Sequence, residues 1–317
     1  MLTITADDVH TLLDWPSLIA AMRQGHGNTQ RPEIRDMLLG GAQPLFVRAS
    51  IFAGVGIGLK AVTVFPANAA RATPLPTVQG AFLLFDETDG HVLAVIDGAA
   101  ITPWKTAADS ALGASILARE DAQTLAIIGA GAMAKPLIEA HLAARPSIAH
   151  ILLWNRTRAN AENLARRLDG SGRMVEVVDR LQTAIEAADI VSTATLSTEP
   201  LVRGEWLKPG AHLDLVGAYR KDMREADDAA LLRGRIFVDA RETAIEDIGE
   251  LGIPLHNGVI GDAAIEGDLF DLCQGRYRSR EPGEITIFKN GGGAHLDLMT
   301  ANEIYARFRS RQAGQDV

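Results

Sequence analysis

Apolar positions change their spacing along the chain, and each change marks a different kind of element. Between Thr5 and Arg23, Val9, Leu12, Leu13, Leu18, Ile19 and Met22 recur at helical intervals behind Thr5 or Asp7 as a cap. That spacing predicts a helical entry packed on a sheet. From Phe46 to Ile96 the pattern becomes short runs rich in Val, Phe and Leu, cut by Gly, Pro and Asn, which predicts a meander of strands. The clearest hairpin joins Gly80–Phe85 to His91–Ile96, with Asp89-Gly90 supplying the turn residue that accepts positive φ.

A helix is predicted from Thr106 to Arg119, followed by a short buried strand at Leu125–Ile128 bounded by glycine. Alternation then sets in: helix 132–144, strand 150–154, helix 158–168, strand 175–178, helix 180–187, strand 190–193, with further strands at 212–216 and 235–238. Strand and helix taking turns across short loops predict a doubly wound parallel sheet of the Rossmann kind. Helical spacing returns from Leu296 to Phe308, which predicts a final helix packed back on the N-terminal part. The expected fold is therefore α/β, a Rossmann domain over 119–295 beside a second α+β domain for substrate binding and dimerisation. That second domain takes in 1–118 with 296–317.

Composition narrows the functional classes. The 317 residues are 47% hydrophobic and 22% charged, with a formal charge of -9 and no long Lys/Arg block. A nucleic-acid partner is not expected from such a chain, because phosphate contacts need a concentrated basic surface. The single cysteine, Cys273, cannot form an internal disulfide, the start of the chain lacks a signal-peptide pattern, and no apolar stretch is long enough to span a membrane. A soluble, cytoplasmic protein is expected, without a membrane partner. The histidines show no ligand spacing, so no metal is expected.

Ile127-Ile-Gly-Ala-Gly-Ala-Met-Ala134 places a G-x-G-x-x-A loop between a strand and a helix. Gly129 suits the tight turn, Gly131 lets a pyrophosphate approach the backbone, and Ala134 lets helix and strand pack closely. Ala130, Ala132 and Met133 complete the loop that faces the phosphates. At the end of the next strand an NAD enzyme usually offers a carboxylate to the ribose, whereas this chain reads Trp154-Asn155-Arg156-Thr157-Arg158. Paired guanidinium groups suit a 2′-phosphate, so NADPH is the expected cofactor, with NADH less favoured.

Gly58-Leu-Lys-Ala-Val-Thr-Val-Phe-Pro66, Asn68, Leu75-Pro-Thr-Val-Gln-Gly80, Asp97-Gly98, Thr102-Pro-Trp-Lys-Thr-Ala-Ala108 and the glycine loop occur in an order that resembles the ornithine cyclodeaminase and mu-crystallin family over nearly the whole chain. The resemblance implies a homodimer whose split N-terminal domain, completed by the last helix, builds both the substrate pocket and the subunit interface. It also implies three cations on the substrate carboxylate, matched here by Arg48, Lys60 and Lys105. Lys105 stands where the family usually has Arg, and lysine lacks the planar fork of arginine. Thr77 and Gln79 match pocket positions, and Thr106 is expected to head a helix near the cofactor phosphates. Thr195, Val216 and Gly217 match cofactor-binding positions.

Cyclodeaminases of the family carry an aspartate where this chain has Tyr219, after Val216-Gly217-Ala218. A phenol with a reference pKa of about 10 is a poor base for ring closure at neutral pH. Reduction of a ready-made cyclic imine needs no such base. The resemblance thus points to an oxidoreductase, a ketimine reductase of proline metabolism that turns 1-pyrroline-2-carboxylate into L-proline and 1-piperideine-2-carboxylate into L-pipecolate. Lys60 either stabilises or protonates the substrate in that scheme. The alternatives are an alanine or other amino-acid dehydrogenase, a cyclodeaminase, and an NADPH-binding protein without turnover. His295, a lone histidine in the sequence pattern, reads as structural. The run Asn290-Gly-Gly-Gly293 either approaches the nicotinamide or forms a joint.

Overall fold

The computed structural model describes residues 1–315 apart from Ala42 and Ala72. The chain divides into two compact units, Met1–Lys105 with the segment from Gly293 onward, and Thr106–Gly292. The sequence puts the boundary at the end of a helix near residue 118, whereas the division falls inside that helix. The first unit holds β1 (Leu2–Ile4), α1 (Ala6–Leu12), α2 (Trp15–His26), β2 (Glu33–Leu39), β3 (Leu45–Phe52), β4 (Gly56–Val64), β5 (Val78–Phe85) and β6 (Val92–Asp97). Its six-stranded sheet has the order β1-β6-β5-β4-β3-β2, antiparallel except for the β1–β6 pair.

The helical entry is two helices, not one. Thr5 caps α1 through a reciprocal pair with Asp8, and Asp14 caps α2 ahead of Pro16, so the chain turns at Leu13. The β5–β6 hairpin forms as expected, with Gly90 at φ 77. The following helix, α3 (Gly98–Leu117), begins earlier than its composition suggests. Asp97 Oδ1 accepts from the backbone N–H groups of Ala99 and Ala100, both at 2.9 Å, and Pro103 lies inside the helix. The proline reads as a boundary in the sequence because it lacks the N–H for an i→i−4 bond. The last helix, α11 (Ala294–Gln315), packs on β3, β4 and α2.

The second unit carries β7 (Thr124–Ile128), α4 (Ala134–Ala144), β8 (His150–Trp154), α5 (Arg158–Arg167), β9 (Met174–Val177), α6 (Leu181–Ala187), β10 (Ile190–Thr193) and β11 (His212–Leu215). It continues through α7 (Asp228–Arg233), β12 (Gly234–Val238), α8 (Arg241–Ala244), α9 (Gly249–His256), β13 (Ile265–Asp268), α10 (Leu269–Cys273) and β14 (Ile285–Lys289). All its strand pairs are parallel, in the order β13-β12-β14-β11-β10-β7-β8-β9. The order reverses direction at β7 and β10, and ligands of open α/β sheets bind at the carboxyl ends of strands at such a point.

β14 is an unannounced central strand, fully buried although it reads Ile-Thr-Ile-Phe-Lys. Its two polar residues are satisfied internally. Thr286 Oγ1 donates to the Leu117 carbonyl at 3.1 Å, and Lys289 Nζ donates to the carbonyls of Leu215, Ala218 and Asn290 at 3.0, 2.8 and 2.7 Å. Burial holds the Lys289 pKa below its ordinary value.

A buried carboxylate pair fixes the loops that leave β10 and β11. Glu225 accepts from Thr193 Oγ1 at 2.8 Å, from Thr195 N and Oγ1 at 2.7 and 2.8 Å, and from Gly217 N at 2.6 Å. Glu250, on α9, in turn accepts from the backbone N–H groups of Glu225 and Ala226 at 2.7 and 3.0 Å. Burial first, and the Glu225 charge second, push the Glu250 pKa up to about 7. Since this carboxyl binds its proton more tightly folded than unfolded, its contribution to stability is complete below its ordinary value of 4.5 and is lost as pH rises through about 7. Glu250→Gln is expected to flatten the fall in thermal midpoint across that window, measured by circular dichroism at a series of pH values. Parallel midpoint curves for the two proteins would overturn this assignment.

Candidate active site

The substrate half of the expected site lies in the first unit. Residues directly opposite on antiparallel strands share a face of the sheet. The register pairs Asp36 with Arg48 and Arg48 with Lys60, so the three stand in a row across β2, β3 and β4. Arg48 Nη2 meets Asp36 Oδ2 at 2.9 Å, and Lys60 Nζ donates to Asp297 Oδ1 of α11 at 2.7 Å. Two adjacent cations stand at the centre of the row, and a carboxylate flanks each of them. Side-chain exposure is 5% for Lys60 and 0% for Asp297.

Lys105 is also buried, and its charge acts on Asp36, Asp297 and His295. The electrostatic surroundings of these groups follow from their packing. Burial raises the Asp36 carboxyl above its ordinary value, against the opposing effect of Arg48. Asp297 is also desolvated, yet Lys60, Lys105 and Arg48 together hold it below the ordinary range. His295 lies edge-on to His26 at 5.5 Å, and burial, reinforced by His26, Lys105, Arg48 and Arg31, keeps its pKa well below the usual imidazole value. A neutral imidazole is the result near pH 7.

Three members of this group escape a reading of the sequence alone: Asp36, Asp297 and Arg31. None lies in a recognisable motif. Asp36 becomes visible only through strand register, and Asp297 only through the docking of α11 on β4. Thr77 and Gln79 are not brought into the row. The Phe65 backbone donates to the Thr77 carbonyl at 2.7 Å. Gln79 pairs with Thr63, so the pleat puts it on the face opposite Lys60, where it is exposed.

The cofactor half lies in the second unit. Gly129 has φ 105, and a Cβ there would stand 2.8 Å from the Ala194 carbonyl. Only glycine serves at that turn. α4 starts at Ala134, behind Met133, with no side chain capping its first turn. Ala134 N donates to the Gly131 carbonyl at 3.1 Å and Pro136 has no amide hydrogen, so the Lys135 amide with those of the loop would face an anion, and the loop fits a dinucleotide pyrophosphate. Ala130 N donates to Asn155 Oδ1 at 3.0 Å, and Asn155 Nδ2 donates to the Thr157 carbonyl at 2.9 Å, so Asn155 ties the loop to the end of β8. Gly131 and Ala132 are exposed on that loop.

Arg156 is exposed and has no ion pair among the described residues, whereas the Arg158 guanidinium is engaged by Glu162 at 2.8 Å and by Asp179. Thr195 uses both its amide and its hydroxyl on Glu225, as Gly217 uses its amide, while Val216 N donates to the Thr193 carbonyl at 3.0 Å. A Cβ at Gly217 would lie 2.2 Å from the Thr195 carbonyl, so glycine is required for these two loops to touch. Thr106 does not head a helix: it sits within α3, and its carbonyl accepts from Asn290 Nδ2 at 2.9 Å. Tyr219 is 58% exposed, beside the guanidinium of Arg220. The glycine run is tied down rather than loose, because Gly291 and Gly292 donate to Asp239 Oδ2 at 3.0 and 2.5 Å.

Among the described residues, one His/Asp grouping comes close enough to hold an ion: Asp86, Asp89 and His91, at the β5–β6 turn. Their hydrogen bonds organise the turn itself. Nor is any helix among those residues long and apolar enough to cross a membrane.

The chain is 47% identical over 294 residues to a Delta(1)-pyrroline-2-carboxylate reductase of Paracoccus denitrificans, covering 92% of each chain. The solved structure of Thermococcus litoralis Delta(1)-pyrroline-2-carboxylate reductase, in complex with NADH and L-proline, superposes with a TM-score of 0.91 at 27% identity, covering 98% of both chains. An archaeal alanine dehydrogenase dimer with bound NAD also reaches 0.91, at 26% identity, over 98% of this chain and 97% of that one. Residues 31–312 match the ornithine cyclodeaminase/mu-crystallin family, and the chain belongs to it.

Proposed function

We propose that this protein reduces small cyclic imino acids, converting 1-pyrroline-2-carboxylate to L-proline and 1-piperideine-2-carboxylate to L-pipecolate. The observation that carries the reading is the row centred on half-buried Arg48 and buried Lys60, with buried Lys105 close by. Arg48 is paired with Asp36 and Lys60 with Asp297, and Lys105 bears on both carboxylates, so the three cations gather where one substrate carboxylate would be held. Holding that carboxylate fixes the ring for reaction at the adjacent carbon, and orientation of this kind is a large part of such catalysis. Similarity to proteins named as reductases of this imine supports the same substrate class.

Gly129 to Met133, with the first turn of α4, would hold the pyrophosphate of a nicotinamide dinucleotide. When bound, the nicotinamide supplies the hydride. Lys60 and Arg48 act on the substrate side, by attracting its carboxylate and fixing its ring. Tyr219 in place of the cyclodeaminase aspartate speaks for reduction over ammonia release, since no carboxylate base is offered at that position.

NADPH is the proposed coenzyme. Arg156 supports it as the cation left for a 2′-phosphate, because Arg158 is already shared between two carboxylates. For the subunit assembly we propose a homodimer formed through β2. This strand is at the edge of its sheet and exposes Met37, Leu38 and Leu39 at 49, 61 and 48%. An exposed apolar edge strand is a template for pairing with another chain.

These readings are tested by three measurements. Purified protein with 1-pyrroline-2-carboxylate is expected to oxidise NADPH at 340 nm, and Lys60→Ala to lose at least about a hundredfold in kcat/KM with cofactor affinity unchanged. Oxidation with pyruvate and ammonia alone would instead make the protein an amino-acid dehydrogenase. Arg156→Ala is expected to raise KM for NADPH about tenfold while sparing NADH; equal effects on both would remove the 2′-phosphate contact. In sedimentation equilibrium the protein is expected to weigh twice the 33.9 kDa chain, and a Met37→Lys, Leu39→Lys variant to weigh as one. A variant that stays dimeric would exclude β2.

A further inference from the structure

The Lys60–Asp297 pair leaves one of its atoms without a role in the reading above. Asp297 Oδ1 is occupied by the Lys60 ammonium, but Asp297 Oδ2 is buried and has no hydrogen-bond partner among the described residues. Buried polar atoms are nearly always hydrogen-bonded, and an unpaired carboxylate oxygen is among the costliest exceptions. In the same group Arg48 Nε, a donor, is also buried without a partner. The group thus retains one buried donor and one buried acceptor. A ligand bearing an anion and a positively charged N–H would satisfy both.

We propose that Asp297 recognises the charged ring nitrogen of the substrate, accepting its N–H while Arg48, Lys60 and Lys105 take the carboxylate. This assignment rests on the reading of those three cations as the carboxylate site. It makes Asp297 a specificity-determining residue, one that separates imino acids from other cyclic carboxylates of the same shape. Several features of the sequence and fold place it there. Asp297 lies in the first turn of α11, where the helix dipole favours a carboxylate. Docking of α11 on β4 brings it to Lys60, and the pair holds its carboxyl in place. The N–H of a protonated imine stays on nitrogen when hydride adds to the neighbouring carbon, and the product amine carries the same donor. Asp297 therefore serves both ends of the reaction, and the product itself is a valid probe.

The test is isothermal titration of the full-length protein, saturated with NADP⁺, with L-proline and with cyclopentanecarboxylate. The two ligands share the ring and the carboxylate and differ in an NH₂⁺ against a CH₂. The wild-type protein is expected to bind L-proline at least about tenfold more tightly, as a charge-assisted hydrogen bond to a buried carboxylate implies. Asp297→Asn is expected to bring the two within about threefold by weakening L-proline alone, with cyclopentanecarboxylate affinity kept. Equal loss for both ligands would mean a purely structural role and overturn the proposal. So would equal affinity of the wild-type protein for both, a result that needs no variant. If the wild-type protein failed to reduce any cyclic imine and bound neither ligand, the functional reading itself would fall, and this assignment with it; equal affinities beside intact turnover sink this assignment alone.

Discussion

The buried ion pair between Lys60 and Asp297 is the constraint around which the first unit is arranged. Removing two charges from water costs several kcal/mol per ion, a cost offset only when geometry is fixed and neighbouring groups share the field. The sheet supplies the fixed geometry. Register places Arg48 directly opposite Lys60, a juxtaposition that like charges would resist without compensation. Asp36 meets Arg48 from β2, and Asp297 meets Lys60 from α11. A strand at the sheet edge and a helix near the chain's end are thus required for two adjacent strands to present cations on one face.

The second unit solves a different problem, that of holding loops which must leave backbone amides available to a ligand. At the glycine loop the solution is conformational: Gly129 takes a φ closed to other residues, and Asn155 binds one amide from the side. After β10 and β11 the solution is electrostatic. One buried carboxylate, Glu225, collects Thr193, Thr195 and Gly217, and is itself positioned by Glu250. The Thr195 hydroxyl and the Gly217 amide are therefore bound within the protein, which fixes the shape of both loops.

Legibility in the sequence follows the distance over which a feature is encoded. The parallel alternation from β7 to β11 and the β5–β6 hairpin are written in local periodicity and turn chemistry, and β8 and β10 fall on their expected residues. β14 is not legible, because Thr286 and Lys289 break an apolar run, and their satisfaction depends on carbonyls far along the chain. β2 escapes for the opposite reason, being exposed on nearly every residue with no buried face to impose a period. The start of α3 is hidden by Pro103, which marks a helix boundary far more often than an interior. In the candidate site, Arg48, Lys60 and Lys105 can be named from the family resemblance, while Asp36 and Asp297 require register and docking.

Charge counts in a motif share this weakness. Trp-Asn-Arg-Thr-Arg offers two guanidinium groups in sequence, and both count equally toward a phosphate when nothing else is known. In the fold Glu162, one turn along α5, and Asp179, in the loop after β9, converge on Arg158. An exposed pair of this kind is weak by itself, but it still screens the positive charge that a 2′-phosphate would meet. Arg156 keeps its charge undiverted among the described residues, and the two arginines are consequently unequal. A preference for NADPH, as proposed above, would then depend less on how many cations follow β8 than on which of them local carboxylates have already engaged.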